Sequence, residues 1–127
     1  MTIAIGTDII EIDRIAQTLS RQGDRLVRRI LVPNEREKFA SFNNDPLKIA
    51  FLAKRWCAKE AIAKALGTGI AKGVGFQQIE ITHDELGAPQ VVLLDEALTR
   101  LHAIGAKKAL ISLSDERQFA VAFCTLT

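Results

Sequence analysis

Isoleucines at positions 3 and 5 alternate with smaller or polar residues ahead of Gly6-Thr7-Asp8. This two-residue period predicts a strand over residues 2–10. From residue 12 to about residue 32 the spacing becomes helical, and Gly23 predicts a break into two short helices. Asn34, with Glu37 three residues later, has the form of a capping box before another short helix. The clearest element follows. Asp45 suits an N-cap, Pro46 the first helical position and Gly67 the C-terminal cap, which predicts a helix over residues 46–66. Such a helix is roughly 30 Å long, and its stripe of Leu47, Phe51, Ala58, Ile62 and Ala65 is spaced to face a core.

The second half reads mainly as strand. Residues 76–82 and 90–94 flank the turn His83-Asp84-Glu85-Leu86-Gly87, and residues 95–104 form a helix stopped by Gly105. Residues 108–114 and 119–126 alternate around Asp115-Glu116-Arg117-Gln118, a hairpin. The expected fold class is α+β: one domain over residues 1–127, a small, mainly antiparallel sheet packed on a long helix.

Composition narrows the partners. Against 17 Lys+Arg stand 15 Asp+Glu, a formal net charge of +2, too balanced for a protein that coats nucleic acid. The apolar runs are too short to span a bilayer, and the N-terminal stretch lacks a basic region and is interrupted by acids, unlike a signal peptide. Cys57 and Cys124 lack metal-type spacing and read as reduced, packed thiols of a cytoplasmic protein. Charge is nonetheless uneven. Between residues 14 and 29 lie Arg14, Arg21, Arg25, Arg28 and Arg29 against Asp24 alone, which points to an acidic partner surface or to a solvated helix face.

Three groups of residues carry candidate chemistry. Asp8 closes an apolar strand, where strands deliver groups to a rim, although a turn-forming Asp looks the same. Glu60 and Lys64 share one helix face at i, i+4, as would an ordinary surface ion pair. Arg55 and Lys59 make a cationic pair about 100° further round. Carboxylates beside cations are what magnesium requires when phosphate oxygens complete its shell. The third group is Gly67-Thr68-Gly69-Ile70-Ala71-Lys72-Gly73, where close backbone approach and the Thr68 hydroxyl suit a phosphate, but the helix C-terminus does not. His83 reads as a turn residue and His102 as a helix-surface residue.

Taken together, IGTDIIEIDRI and FLAKRWCAKEAIAKALGTGI resemble the holo-(acyl-carrier-protein) synthase family of 4′-phosphopantetheinyl transferases. Trp56 to Ala61 matches that superfamily's W-x-x-K-E-A signature, and SLSDERQFAVAF looks like its short, single-domain bacterial type. The resemblance implies transfer of the 4′-phosphopantetheine arm of coenzyme A to a serine of apo acyl-carrier protein, in support of fatty acid biosynthesis. It implies that Asp8 and Glu60 bind Mg2+ and that Lys64 protonates or neutralises the departing adenosine 3′,5′-bisphosphate. Arg55, Lys59, Gly67 and Thr68 match positions around the coenzyme A phosphates, and Pro89 matches a nucleotide contact from a neighbouring subunit. Arg14, Arg21 and Arg25 fall where the acidic helix of the carrier protein docks. The implied assembly is a homotrimer with active sites between subunits.

The general base is Asp8 or a water held at the metal, and the sequence leaves both open. Asp115 stands where some members carry a histidine near the nucleotide 3′-phosphate, so that contact is not carried over; Arg117 is a substitute. Two other readings use the same residues differently. One is a magnesium-dependent hydrolase of nucleotide pyrophosphates, and the other a non-catalytic module that docks an acidic partner through its arginines.

Overall fold

A computed structural model describes residues 1–127. In chain order the elements are β1 (Ala4–Glu11), α1 (Ile12–Gln22), α2 (Asp24–Ile30), α3 (Pro33–Ser41), α4 (Asp45–Leu66), β2 (Ile79–His83), β3 (Pro89–Leu93), α5 (Asp95–Ala103), β4 (Ala109–Asp115) and β5 (Phe119–Leu126). The strands form two antiparallel sheets rather than one: β1-β5-β4, and the separate pair β2-β3. Phe76–Gln78, expected to open a strand, is a single turn of 3-10 helix that leads into β2.

The long helix organises everything else. Its inner face buries Phe51, Ala58, Ala61, Ile62 and Ala65, whereas Leu47 is half exposed at the first turn. Asn44 rather than Asp45 caps it, accepting from the Leu47 amide at 2.9 Å, and Gly67 closes it in the left-handed region at φ +83°. The neighbouring short helix is also capped differently from expectation. Glu37 is exposed, and it is the Glu35 carboxylate that accepts from the Val32 amide at 2.9 Å, with Pro33 opening α3.

The three-stranded sheet meets α4 through very small residues. Along β1, Gly6, Asp8 and Ile10 fall on the helix-facing side, because alternate residues share a face. Ala120, Ala122 and Cys124 of β5 are fully buried on that side. The approach is closest at Gly6, where a Cβ would lie 2.2 Å from the Ala61 carbonyl oxygen and 2.7 Å from the Ala65 amide nitrogen. Those are backbone atoms of a packed helix and cannot step aside. Gly6→Ala is therefore expected to cost about 3 kcal/mol or more. Urea denaturation checks this, and an unchanged midpoint would contradict the packing described.

The outer face of the same sheet is unusually apolar. Ile5, Ile9, Leu110 and Phe123 are 62%, 63%, 45% and 44% exposed. No helix is long and apolar enough to cross a membrane.

Candidate active site

Asp8 leaves β1 toward α4 and meets Lys64, whose ammonium donates to Asp8 Oδ1 at 3.0 Å and to the Thr7 carbonyl at 3.1 Å. Glu60 lies one turn before Lys64 on the same helix face, its Oε1 accepting from the Trp56 indole at 3.2 Å. Asp8, from a distant part of the chain, is thus brought to an ammonium one helical turn from Glu60. Cys57 lies beneath them, donating to the Asp8 carbonyl at 3.1 Å. Burial, and then the Asp8 charge, push its thiol up to about 12, so it stays protonated and inert as a nucleophile.

This corner fits a magnesium ion on the chemistry of its donors. Hard carboxylate oxygens are present, but no group of three or more His, Cys, Asp or Glu side chains that could hold a metal by itself. Asp8 and Glu60 would hold the ion, leaving room for phosphate oxygens and water.

Arg55 faces elsewhere. Five residues from Glu60, it projects about 140° around the helix. It lines a cavity of about 690 Å3 together with Lys38, Lys54, His83, Pro89 and Asp115, none of which belongs to the carboxylate corner. The Asx turn of the β2–β3 hairpin, in which Asp84 Oδ1 accepts from the Leu86 and Ala88 amides at 2.9 Å each, sets His83 and Pro89 at the cavity rim. Arg55 is 4% exposed, with its guanidinium carbon 4.5 Å from the centre of the Phe51 ring and Nη2 3.2 Å from His83 Nδ1. Because a guanidinium only donates, His83 Nδ1 must accept, which puts the ring proton on Nε2. Burial, then the charges of Arg55 and Lys54, hold the His83 pKa below its ordinary 6.5. The ring is neutral at physiological pH.

Asp115 does not leave a bare negative charge in this cavity. Lys54 pairs with it at 3.3 Å, both side chains being about one-third exposed. Arg117, considered as a replacement cation, is exposed in the hairpin turn. The cations that do line the cavity, Lys38 and Lys54, have no distinguishing motif in the sequence.

Two expectations change once side chains are seen. Lys59 is fully buried, and its three N–H groups are filled by the Ile30 carbonyl at 2.7 Å, Glu35 Oε1 at 2.6 Å and the Phe76 carbonyl at 3.2 Å. It has no donor left for a coenzyme A phosphate and ties the fold together instead. The amides of Gly67, Thr68 and Gly69 are likewise committed, to the carbonyls of Lys64 and Ala63 at the end of α4. The Thr68 hydroxyl donates to the Gly69 carbonyl at 2.8 Å. That loop is a helix cap first, and only a turn of the Thr68 hydroxyl would offer a phosphate a donor.

The arginines of α1 and α2 divide into two sets. Arg28 is paired with Asp24, and Arg29 lies over the Phe76 ring at 5.6 Å. Arg14, Arg21 and Arg25 are exposed without an acidic partner, Arg21 reaching only the Thr18 hydroxyl at 3.4 Å. They remain available to an acidic surface.

Known proteins share this architecture over its whole length. The family model of the 4′-phosphopantetheinyl transferase superfamily matches residues 4–124. The holo-[acyl-carrier-protein] synthase of Shewanella amazonensis is 50% identical over 98% of this chain and 97% of its own. The crystal structure of the holo-[acyl-carrier-protein] synthase from Neisseria meningitidis superposes with a TM-score of 0.89, at 38% identity over 100% of this chain and 99% of that one. The holo-(acyl-carrier-protein) synthase of Bacillus anthracis, solved with coenzyme A (3′,5′-ADP), gives a TM-score of 0.82 at 36% identity, over 99% and 96% of the two chains. With the fold, the paired motifs and these relatives in agreement, the chain belongs to the holo-[acyl-carrier-protein] synthase family of the 4′-phosphopantetheinyl transferase superfamily.

Proposed function

We propose that this chain performs its family's transfer of 4′-phosphopantetheine from coenzyme A to a serine of acyl-carrier protein, with Asp8 and Glu60 as magnesium ligands. The observation that carries the reading is the Asp8–Lys64 ion pair that joins β1 to α4, one helical turn from Glu60 on the same helix face. When bound, the metal would neutralise charge on the pyrophosphate of coenzyme A. The serine hydroxyl gives its proton to Asp8 or to a water beside it, and its oxygen forms the bond to the β-phosphorus as the bond to the adenosine bisphosphate breaks. Lys64, already an ion-pair donor here, is placed to neutralise that leaving group. Arg55 and Pro89 line a cavity suited to the nucleotide end, where Lys38, Lys54 and the Arg55 guanidinium offset Glu35 and Asp115.

The chain acts as one domain over residues 1–127, and we read its working form as a homotrimer. The exposed isoleucines and Phe123 of the outer sheet face supply a covering surface of the kind an obligate interface buries. The two half-sites open on different sides of α4, so an assembly that joins one protomer's carboxylates to another's cavity completes a site neither holds alone. Free, buried Cys57 and Cys124 support a cytoplasmic setting, where the product would feed fatty acid biosynthesis.

Mass spectrometry of apo acyl-carrier protein tests the reading. One added phosphopantetheine is expected with coenzyme A and magnesium, none after chelation, and recovery on adding magnesium back. In the same assay, replacing Arg14, Arg21 and Arg25 by Gln should raise the KM for carrier protein about tenfold at low salt, and less at high salt, since the attraction is screened. Transfer that survives chelation would remove the metal assignment. An unchanged KM would return the arginines to a solvated face.

A further inference from the structure

Glu35 and Lys59 each make three hydrogen bonds out of sight of solvent, and Glu35 is the only carboxylate so buried. It is 3% exposed, and its two oxygens serve three elements. Oε1 accepts from the Val32 amide at 2.9 Å and from Lys59 Nζ at 2.6 Å, while Oε2 accepts from the Ile81 amide at 2.9 Å. Arg55 Nε stands 3.7 Å from Oε2, beyond hydrogen-bond distance, and it is the one buried side-chain nitrogen without a partner.

One carboxylate therefore faces two buried cations, and it treats them differently. Lys59 is saturated, with three acceptors for three N–H groups. Arg55 is held by its surroundings: Phe51 on its face, Glu35 behind Nε, and His83 at Nη2. Its Nη1 makes no hydrogen bond within the protein, nor is it shut away from the cavity that Arg55 lines. The bond from Ile81 also fixes β2 two residues before His83, so the same carboxylate holds both the guanidinium and the imidazole that receives it. Glu35 spends its hydrogen bonds on Lys59 and the backbone and holds Arg55 by charge alone, so the guanidinium stays buried at the cavity wall without being consumed.

We infer that Glu35 is a positioning residue for coenzyme A, keeping the Arg55 guanidinium turned into the cavity with its outer N–H groups free for phosphate. This rests on the reading of Arg55 as a coenzyme A contact. Glu35 itself touches no substrate, so its effect should be confined to the site that Arg55 serves.

Steady-state kinetics separates the two roles a buried carboxylate can have. Removing its charge alone strands Lys59, so Glu35→Gln is made together with Lys59→Met and compared with Lys59→Met by itself. In the double variant the KM for coenzyme A should rise about tenfold over the single variant, with kcat within about twofold and the KM for carrier protein unmoved. Equal changes in both KM values and kcat would mean that Glu35 is structural only, and would overturn the inference. If the double variant does not fold, Glu35→Asp decides the matter. The shorter carboxylate still neutralises Lys59 but withdraws from Arg55, and a parental KM for coenzyme A there would equally refute the proposal. Arg55→Gln is the control on the underlying reading. Should it leave that KM unchanged, the Arg55 assignment fails; should it raise the KM while the Glu35 variants do not, only the positioning role fails.

Discussion

Asp8→Asn and Glu60→Gln are each expected to lower kcat/KM for transfer by about 10³-fold or more, while melting within a few degrees of the parent. The two halves of that expectation come from different magnitudes. Catalytically, on the proposed reading each substitution removes a full negative charge from the metal's donor set, and a metal clamp on a reacting phosphate is worth several kcal/mol. Structurally, the only ion pair lost is Asp8–Lys64, whose lysine side chain is 53% exposed. The Asp8 side chain is less open, at 18%, but with the lysine in solvent such a pair contributes about 1 kcal/mol or less. The Glu60→Gln change costs even less, because the new side-chain amide oxygen can still accept from the Trp56 indole. Calorimetric titration with magnesium and coenzyme A provides a readout independent of turnover, and both variants should show the metal-dependent heat reduced or absent. A variant that binds magnesium and turns over like the parent would mean that its carboxylate belongs to the fold rather than to the site. The hydrolase alternative is separated in the same experiment, since bisphosphate release without carrier protein should be negligible for the parent enzyme.

What the chain reveals before folding is set by the range over which its signals act. Asp8 is legible because an apolar strand, a glycine and a threonine precede it directly, and α4 is legible because Pro46 and Gly67 mark its ends. The displaced boundary at Asn44 has a local cause too, for Asn and Asp are nearly equal as caps and stand side by side. Lys59 misleads for the opposite reason. At i, i+4 from Arg55 it looks like half of a surface cationic pair, and nothing local reveals the carboxylate, 24 residues away, that receives it. The same limit hides His83, which becomes part of the cavity only when the end of β2 brings it to Arg55 of α4. The division into two sheets is equally out of reach, because alternation gives each strand its faces but not its neighbour. Even the apolar outer face of β1-β5-β4 reads in sequence as core, and only the fold turns Ile5 and Ile9 outward.

That outward face leads to the second large effect, a rescue between two crippled variants. Asp8→Asn should be nearly inactive alone, and Arg55→Gln slow at coenzyme A concentrations far below its raised KM, yet a mixture assembled from both and assayed there should recover part of what neither possesses. The half-sites lie on different sides of α4, and the cavity around Arg55 includes neither Asp8, Glu60 nor Lys64. If one protomer's carboxylate corner faces its neighbour's cavity across the apolar sheet face, a mixed ring contains some interfaces built from the intact half of each variant. With equal amounts and random assembly, about one quarter of the sites would be of this kind, giving about one quarter of parental activity. Co-expression, or denaturation and refolding of the mixture, supplies the mixed rings, and native mass spectrometry counts their protomers. Activity no greater than the sum of the two variants would mean that each site is complete within one chain. The apolar face would then have to be covered for another reason, and the nucleotide would have to reach from Arg55 to Asp8 around a single helix.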